Sequence, residues 1–121
     1  MRRYMCCAAL AAAALLQACA TPQPPLYSWG PYQDQVYAYF KGESPEAQIQ
    51  VLEAHAQAAR SKGQKLPPGF AAHLGLLYAK VGRDDAFHAA LTQEMTEFPE
   101  SAPYMAYLLK NTKVEGKHAA K

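Results

Sequence analysis

Cysteine is nearly absent from this chain, and its three copies, Cys6, Cys7 and Cys19, all lie within the first nineteen residues. The body that follows can hold no disulfide, no CxxC redox pair and no thiolate metal site within one chain. Histidine is sparse too: His55, His73, His88 and His118 make no HExxH or HxxxH pattern, and no two share a helix face at i, i+4. GxSxG, Walker, GxGxxG and paired-acid motifs are missing. No nucleophile can be matched to a base, so the expectation is a protein that is not an enzyme and uses no cofactor, metal or small-molecule substrate. Charge of one sign is not in excess either. Twelve Lys/Arg stand against ten Asp/Glu, and without Arg2 and Arg3, which fall in a segment expected to be removed, the count is ten against ten. A neutral body with scattered lysines is a poor nucleic-acid binder.

No long apolar run is present: Met5 to Leu16 is the longest, short of the roughly 20 residues a transmembrane helix needs. Preceded by Arg2-Arg3, it has the form of a secretory signal peptide. It ends in Leu16-Gln17-Ala18-Cys19, which resembles the lipobox of bacterial lipoproteins, with Gln17 where a small residue is more usual. That resemblance implies cleavage before Cys19 and acylation of its thiol and new amine. Several acyl chains on one residue anchor stably where one would be marginal. Ala20, rather than aspartate, follows the cysteine, which in enteric-type sorting implies the periplasmic face of the outer membrane.

Residues 19–26 form the lipidated cysteine and a proline-rich tether that can enter neither helix nor sheet interior. In polyproline geometry it lifts the domain ~20 Å from the lipid. Residues 27–111 read as one helical domain with a modest core, and 112–121 as a flexible basic tail. The domain opens on Tyr27-Ser28-Trp29-Gly30-Pro31-Tyr32, with Tyr37 one turn further on. Such rings suit a core, a partner surface, or a platform for cell-wall sugar. Tyr27, Trp29, Tyr32 and Tyr37, with His73, are the candidate partner surface.

The central stretch is Pro67 to Gly82. Two prolines start a helix and Gly82 stops it. Phe70, Leu74, Leu77, Tyr78 and Val81 make one apolar stripe, while Ala72, Gly75 and Ala79 make a second face of little volume. Before it, Ser44-Pro45-Glu46 caps a helix with Ile49, Leu52, Ala56 and Ala59 on one face, ended by Gly63. After it, Asp84-Asp85 opens a helix with Phe87, Ala90, Leu91, Met95 and Phe98 as its stripe, and Glu94 and Glu97 read as solvent-face acids. Pro99 terminates that helix, and Glu100-Ser101 caps a last one bearing Tyr104, Met105, Leu108 and Leu109. Short connections make an antiparallel hairpin. The fold class expected is all-α, a small bundle of four to five antiparallel helices.

The hairpin resembles a tetratricopeptide repeat. Leu74-Gly75-Leu76-Leu77-Tyr78 matches the first-helix pattern, and Pro99 falls 25 residues after Leu74. Ala86 comes one residue early, Leu91 replaces an aromatic, and Glu94 replaces a small residue. With one repeat matching, flanking helices must cap the unit or a partner must extend it.

Three separated motifs, Tyr27 to Tyr32, Pro67 to Gly75 and Phe98-Pro99-Glu100-Ser101, together resemble a proteobacterial lipoprotein family catalogued as a domain of unknown function, number 4810. Its members are small lipoproteins commonly encoded beside a CsgG-like curli-secretion lipoprotein and a second small lipoprotein. The resemblance implies an envelope complex and assigns no catalytic residue. The expected function is a lipid-anchored helical adaptor or assembly subunit; the alternative is a glycan-binding module built on the N-terminal aromatics.

Overall fold

The computed structural model describes Met1 and residues 22–114. The rest of the signal segment, the lipobox Leu16, Gln17, Ala18 and Cys19, and the tail from residue 115 lie outside the described residues. Pro22 to Leu26 is exposed and belongs to no helix.

Five helices follow, with no strand among the described residues. Helix α1 is Tyr32–Phe40, α2 Pro45–Ser61, α3 Phe70–Lys80, α4 Asp84–Glu97 and α5 Ala102–Asn111, with a short 3-10 turn at Pro99–Ser101. Most ends obey local chemistry. Ser44 Oγ accepts the Ala47 N–H at 3.3 Å and Pro45 takes the first helical position of α2. Gly63 and Gly82, at φ +65° and +76°, lie just past the ends of α2 and α3, in the left-handed conformation glycine allows.

Two ends differ from the sequence pattern. Helix α3 starts at Phe70, not at the prolines: Pro67-Pro68-Gly69 is a turn, closed by the Phe70 N–H on the Pro67 carbonyl at 3.2 Å. Pro67 is fully buried, so it works as packing. Glu100 and Ser101 do not cap α5. They form the 3-10 turn, and Ser101 Oγ reaches back to the Glu94 carbonyl at 3.4 Å.

Each helix packs on the next in order, α1 on α2, α2 on α3, α3 on α4 and α4 on α5, most closely at the α3–α4 hairpin. Leu52, Phe70, Leu77, Phe87 and Leu91 are wholly withdrawn from water. Each such side chain contributes about 1.5–3 kcal/mol of transfer free energy. Helix α3 is buried nearly all round, as its two faces require: Leu74, Leu77 and Tyr78 pack on one side, Ala72, Gly75 and Ala79 on the other. A Cβ at Gly75 would overlap Leu91 Cδ1 and lie 3.3 Å from the Ala90 Cβ, so glycine sets how closely α4 approaches. The ordered core also runs past the boundary at residue 111, because Val114 is buried in it. Tyr104, read as part of the α5 stripe, instead points outward and is exposed.

Candidate functional site

A groove lies across α2, α3 and α4. Its base is apolar and low, formed by Ala56, Ala71, Leu74, Ala86, Ala89 and Ala90, with Phe70 and Leu66 at one end, and it encloses about 230 Å³. Glu53, Arg60, Tyr78 and Gln93 form its polar edge. A second hollow of about 490 Å³ is lined by Tyr27, Gln64, Lys65, Glu97, Phe98 and Glu100, and shares Arg60, Leu66 and Gln93 with the first. The two hollows adjoin, with Arg60 common to both. Alanine at successive turns of α4 leaves this space, because a methyl covers helix backbone without filling the gap to the next helix.

The polar edge of the groove is tied together across α2 and α3. Glu53 Oε1 accepts the Tyr78 hydroxyl at 2.6 Å and Arg83 Nη1 at 3.2 Å, and the Arg83 guanidinium lies over the Tyr78 ring at 4.4 Å. Burial first, then the Glu53 bond, pushes the Tyr78 phenol up to about 12. Arg60 is steadied by its Nε–H on the Ala56 carbonyl at 3.3 Å.

Behind the base stands Glu94. It is no solvent-face acid: it is only 2% exposed. Its carboxylate accepts the Gly69 N–H at 2.6 Å and the Ala72 N–H at 3.3 Å, capping α3 from the neighbouring helix. Burial, and secondarily the charge of Glu94, raises the phenol of Tyr32 above its ordinary value.

The aromatic segment divides. Ser28 pins it down as a strap: its N–H donates to the Lys65 carbonyl at 2.7 Å, and its carbonyl accepts from His55 Nε2 at 2.9 Å. Gly30, at φ +44°, turns the chain over the His55 ring, which a Cβ would overlap. Tyr27 is half-buried, edge-on to Phe98 at 6.1 Å, in the second hollow. Tyr32 is half-buried against Phe70 at 5.4 Å, and Trp29 stacks on it at 6.1 Å with its other side exposed. Tyr37 is exposed, with Lys41 Nζ 5.0 Å above its ring.

His73 does not belong on a partner surface. At 9% exposed it is wedged between the Tyr32 and Tyr39 rings, at 6.0 and 5.4 Å. Desolvation holds its imidazole below the ordinary value, against a smaller opposite pull from the Gln35 carbonyl, and its Nε2 has no hydrogen-bond partner. Its buried position follows from α1 folding across α3, which no local pattern around His73 encodes.

Sequence reasoning assigned His55 no role and placed Glu94 on the wrong face. A signal for Glu94 existed: Pro68-Gly69 offers α3 no Ser, Thr, Asp or Asn at its N-cap, so the cap had to come from elsewhere. Among the described residues no three His, Cys, Asp or Glu side chains form a metal-holding group, and no helix is long and apolar enough to cross a membrane. No curated protein matches the chain, and no solved structure does. The model of a domain of unknown function, DUF4810, matches residues 26–108, more than half of the sequence, and the chain therefore belongs to that family.

Proposed function

We propose that this protein is a lipid-anchored helical adaptor of the bacterial cell envelope, held to the membrane through acyl chains on Cys19. It stands off on the proline tether at the periplasmic face of the outer membrane, and presents the groove across α2, α3 and α4 to a partner protein. The α3–α4 hairpin acts as a single tetratricopeptide-like unit. The observation that carries the reading is the groove itself, an alanine-paved channel with a polar edge of both signs. That combination suits a peptide or helix that lays apolar side chains on the base and pairs its backbone or charges along the edge. Family resemblance points to a CsgG-like lipoprotein as the partner. The test is affinity capture of the full chain from mildly cross-linked cells beside Cys19→Ala. An envelope lipoprotein that co-purifies only with the anchored form supports the adaptor. Equal capture by both forms removes the anchor from the account.

The half-exposed Trp29, stacked on Tyr32, favours one second reading, a platform for cell-wall glycan. Trp29 fluorescence that shifts and saturates with added muropeptides would support it; an unchanged spectrum would dismiss it.

A further inference from the structure

A stack of helices stays soluble when its terminal helices turn polar faces outward. Here the first and last helices among the described residues do the opposite. On α1 the outer face carries Tyr37 and Phe40, 64% and 80% exposed; on α5 it carries Tyr104 and Tyr107, each 60% exposed. The α5 pair is stacked, with centroids 6.4 Å apart and planes at 11°, so it forms a flat plate.

Spacing and charge say what fits this plate. Both aromatic pairs are spaced i, i+3, and three residues beyond each central tyrosine stands a charge: Asp34 before Tyr37, Lys110 after Tyr107. Both charged side chains are exposed, and neither has an ion-pair partner among the described residues. Set α1 antiparallel to α5, as short connections set successive helices here, with Tyr37 opposite Tyr107. Phe40 then comes level with Tyr104 and Asp34 with Lys110, rungs ~4.5 Å apart along the axis. Like-with-like pairings gain no charge pair: with rings over rings, α5 against α5 sets Lys110 level with Ser101, and α1 against α1 leaves Asp34 beyond the end of its partner at Phe40.

We infer that the α5 face of one copy docks on the α1 face of a second copy of this chain, head to tail. Rings cover rings at the centre of that contact once Lys41 swings off the Tyr37 ring, and the Asp34–Lys110 pair fixes its direction. A docked pair keeps one face of each kind open, so the contact is heterologous and propagates until it closes a ring or forms a row. A short helical unit would thereby gain the neighbours that repeat packing needs.

The test is sedimentation of the full chain, N-terminal segment included, in detergent micelles. The wild type is expected to form a concentration-dependent series of oligomers. Phe40→Glu spoils the α1 face and Tyr107→Glu the α5 face, and each is expected to weaken association at least tenfold with helical circular dichroism unchanged. Mixed in equal amounts, the two variants retain one good face each and are expected to form a one-to-one dimer and nothing larger. Asp34→Lys and Lys110→Asp should each weaken association, and the double variant should recover it. These charge variants carry the test should either glutamate variant misfold. A wild type that stays a single copy at hundreds of micromolar overturns the inference. So does association that survives both glutamate variants, a mixture that stays monomeric, or a charge swap without recovery.

Discussion

The Glu94 carboxylate and the Gly69 amide, 25 residues apart in sequence, meet at 2.6 Å and join α4 to the start of α3. A second bond, from the Ala72 N–H, makes this a capping box split between two helices instead of closed within one. Most of the base of the groove lies on α3 and α4, so the cap joins the two helices that carry it.

Replacing Glu94 with glutamine keeps size and one acceptor but removes the charge. Hydrogen bonds to charged groups are worth about 1.5–3 kcal/mol, so Glu94→Gln is expected to lower stability by about that much. Urea unfolding should show a lower midpoint with an unchanged slope.

Gly69 sits at φ +86°, and a Cβ there would come within 2.8 Å of the Tyr32 hydroxyl oxygen. Gly69→Ala is therefore expected to lose about 1–2 kcal/mol from the left-handed backbone, and more from the clash. In a Tyr32→Phe background the clash should vanish and the backbone loss remain. Gly42→Ala, at φ +74° with nothing within 4 Å of its Cβ, is the control that reads the backbone part alone.

The burial of His73 predicts acid sensitivity. Its folded pKa is lowered from 6.5, so below that pH the unfolded chain takes up a proton that the folded chain refuses. Stability thus falls as pH drops below 6.5, until the folded imidazole is itself protonated. Urea midpoints between pH 7.5 and 5 should fall more steeply in the wild type than in His73→Phe.

Tyr78 behaves in the opposite sense. Its phenol is raised from 10.0 to about 12, so its contribution is complete below pH 10 and is lost as pH rises from about 10 to 12. Tyr78→Phe should lose about 1 kcal/mol at neutral pH by breaking the bond to Glu53. Spectrophotometric titration should show one tyrosine fewer ionising near pH 12 in the variant.

The helices were legible because their signals are local. Ser44-Pro45, Gly63, Gly82 and Phe98-Pro99 act within a turn of themselves, and the Phe70–Leu74–Leu77 spacing needs only 3.6 residues per turn. The site was less legible because its key bonds cross between helices. Glu94 and Glu97 sit three apart on one helix and look alike in sequence. One caps α3, while the other is exposed and accepts the Gln93 side-chain amide at 2.8 Å. His73 reads in sequence as part of a partner surface, and only the path of α1 over it shows it buried. Ser28 and His55 are 27 residues apart, and neither shows in sequence that it needs the other. The groove was hidden for a further reason: alanines at 86, 89 and 90 mark a close approach or an open channel equally well, and only the path of α2 decides between them.

The central claim, that this groove holds a partner, is tested most directly by filling it. Ala89 lies in the channel and is exposed, so Ala89→Arg should block the groove without disturbing the core. Gln57→Arg, exposed on α2 and outside the groove, serves as the matched control. Both would be captured from cross-linked cells beside the wild-type chain. If the groove holds the partner, that partner is lost with Ala89→Arg and kept with Gln57→Arg, at equal helical content. Full retention by Ala89→Arg would contradict the claim.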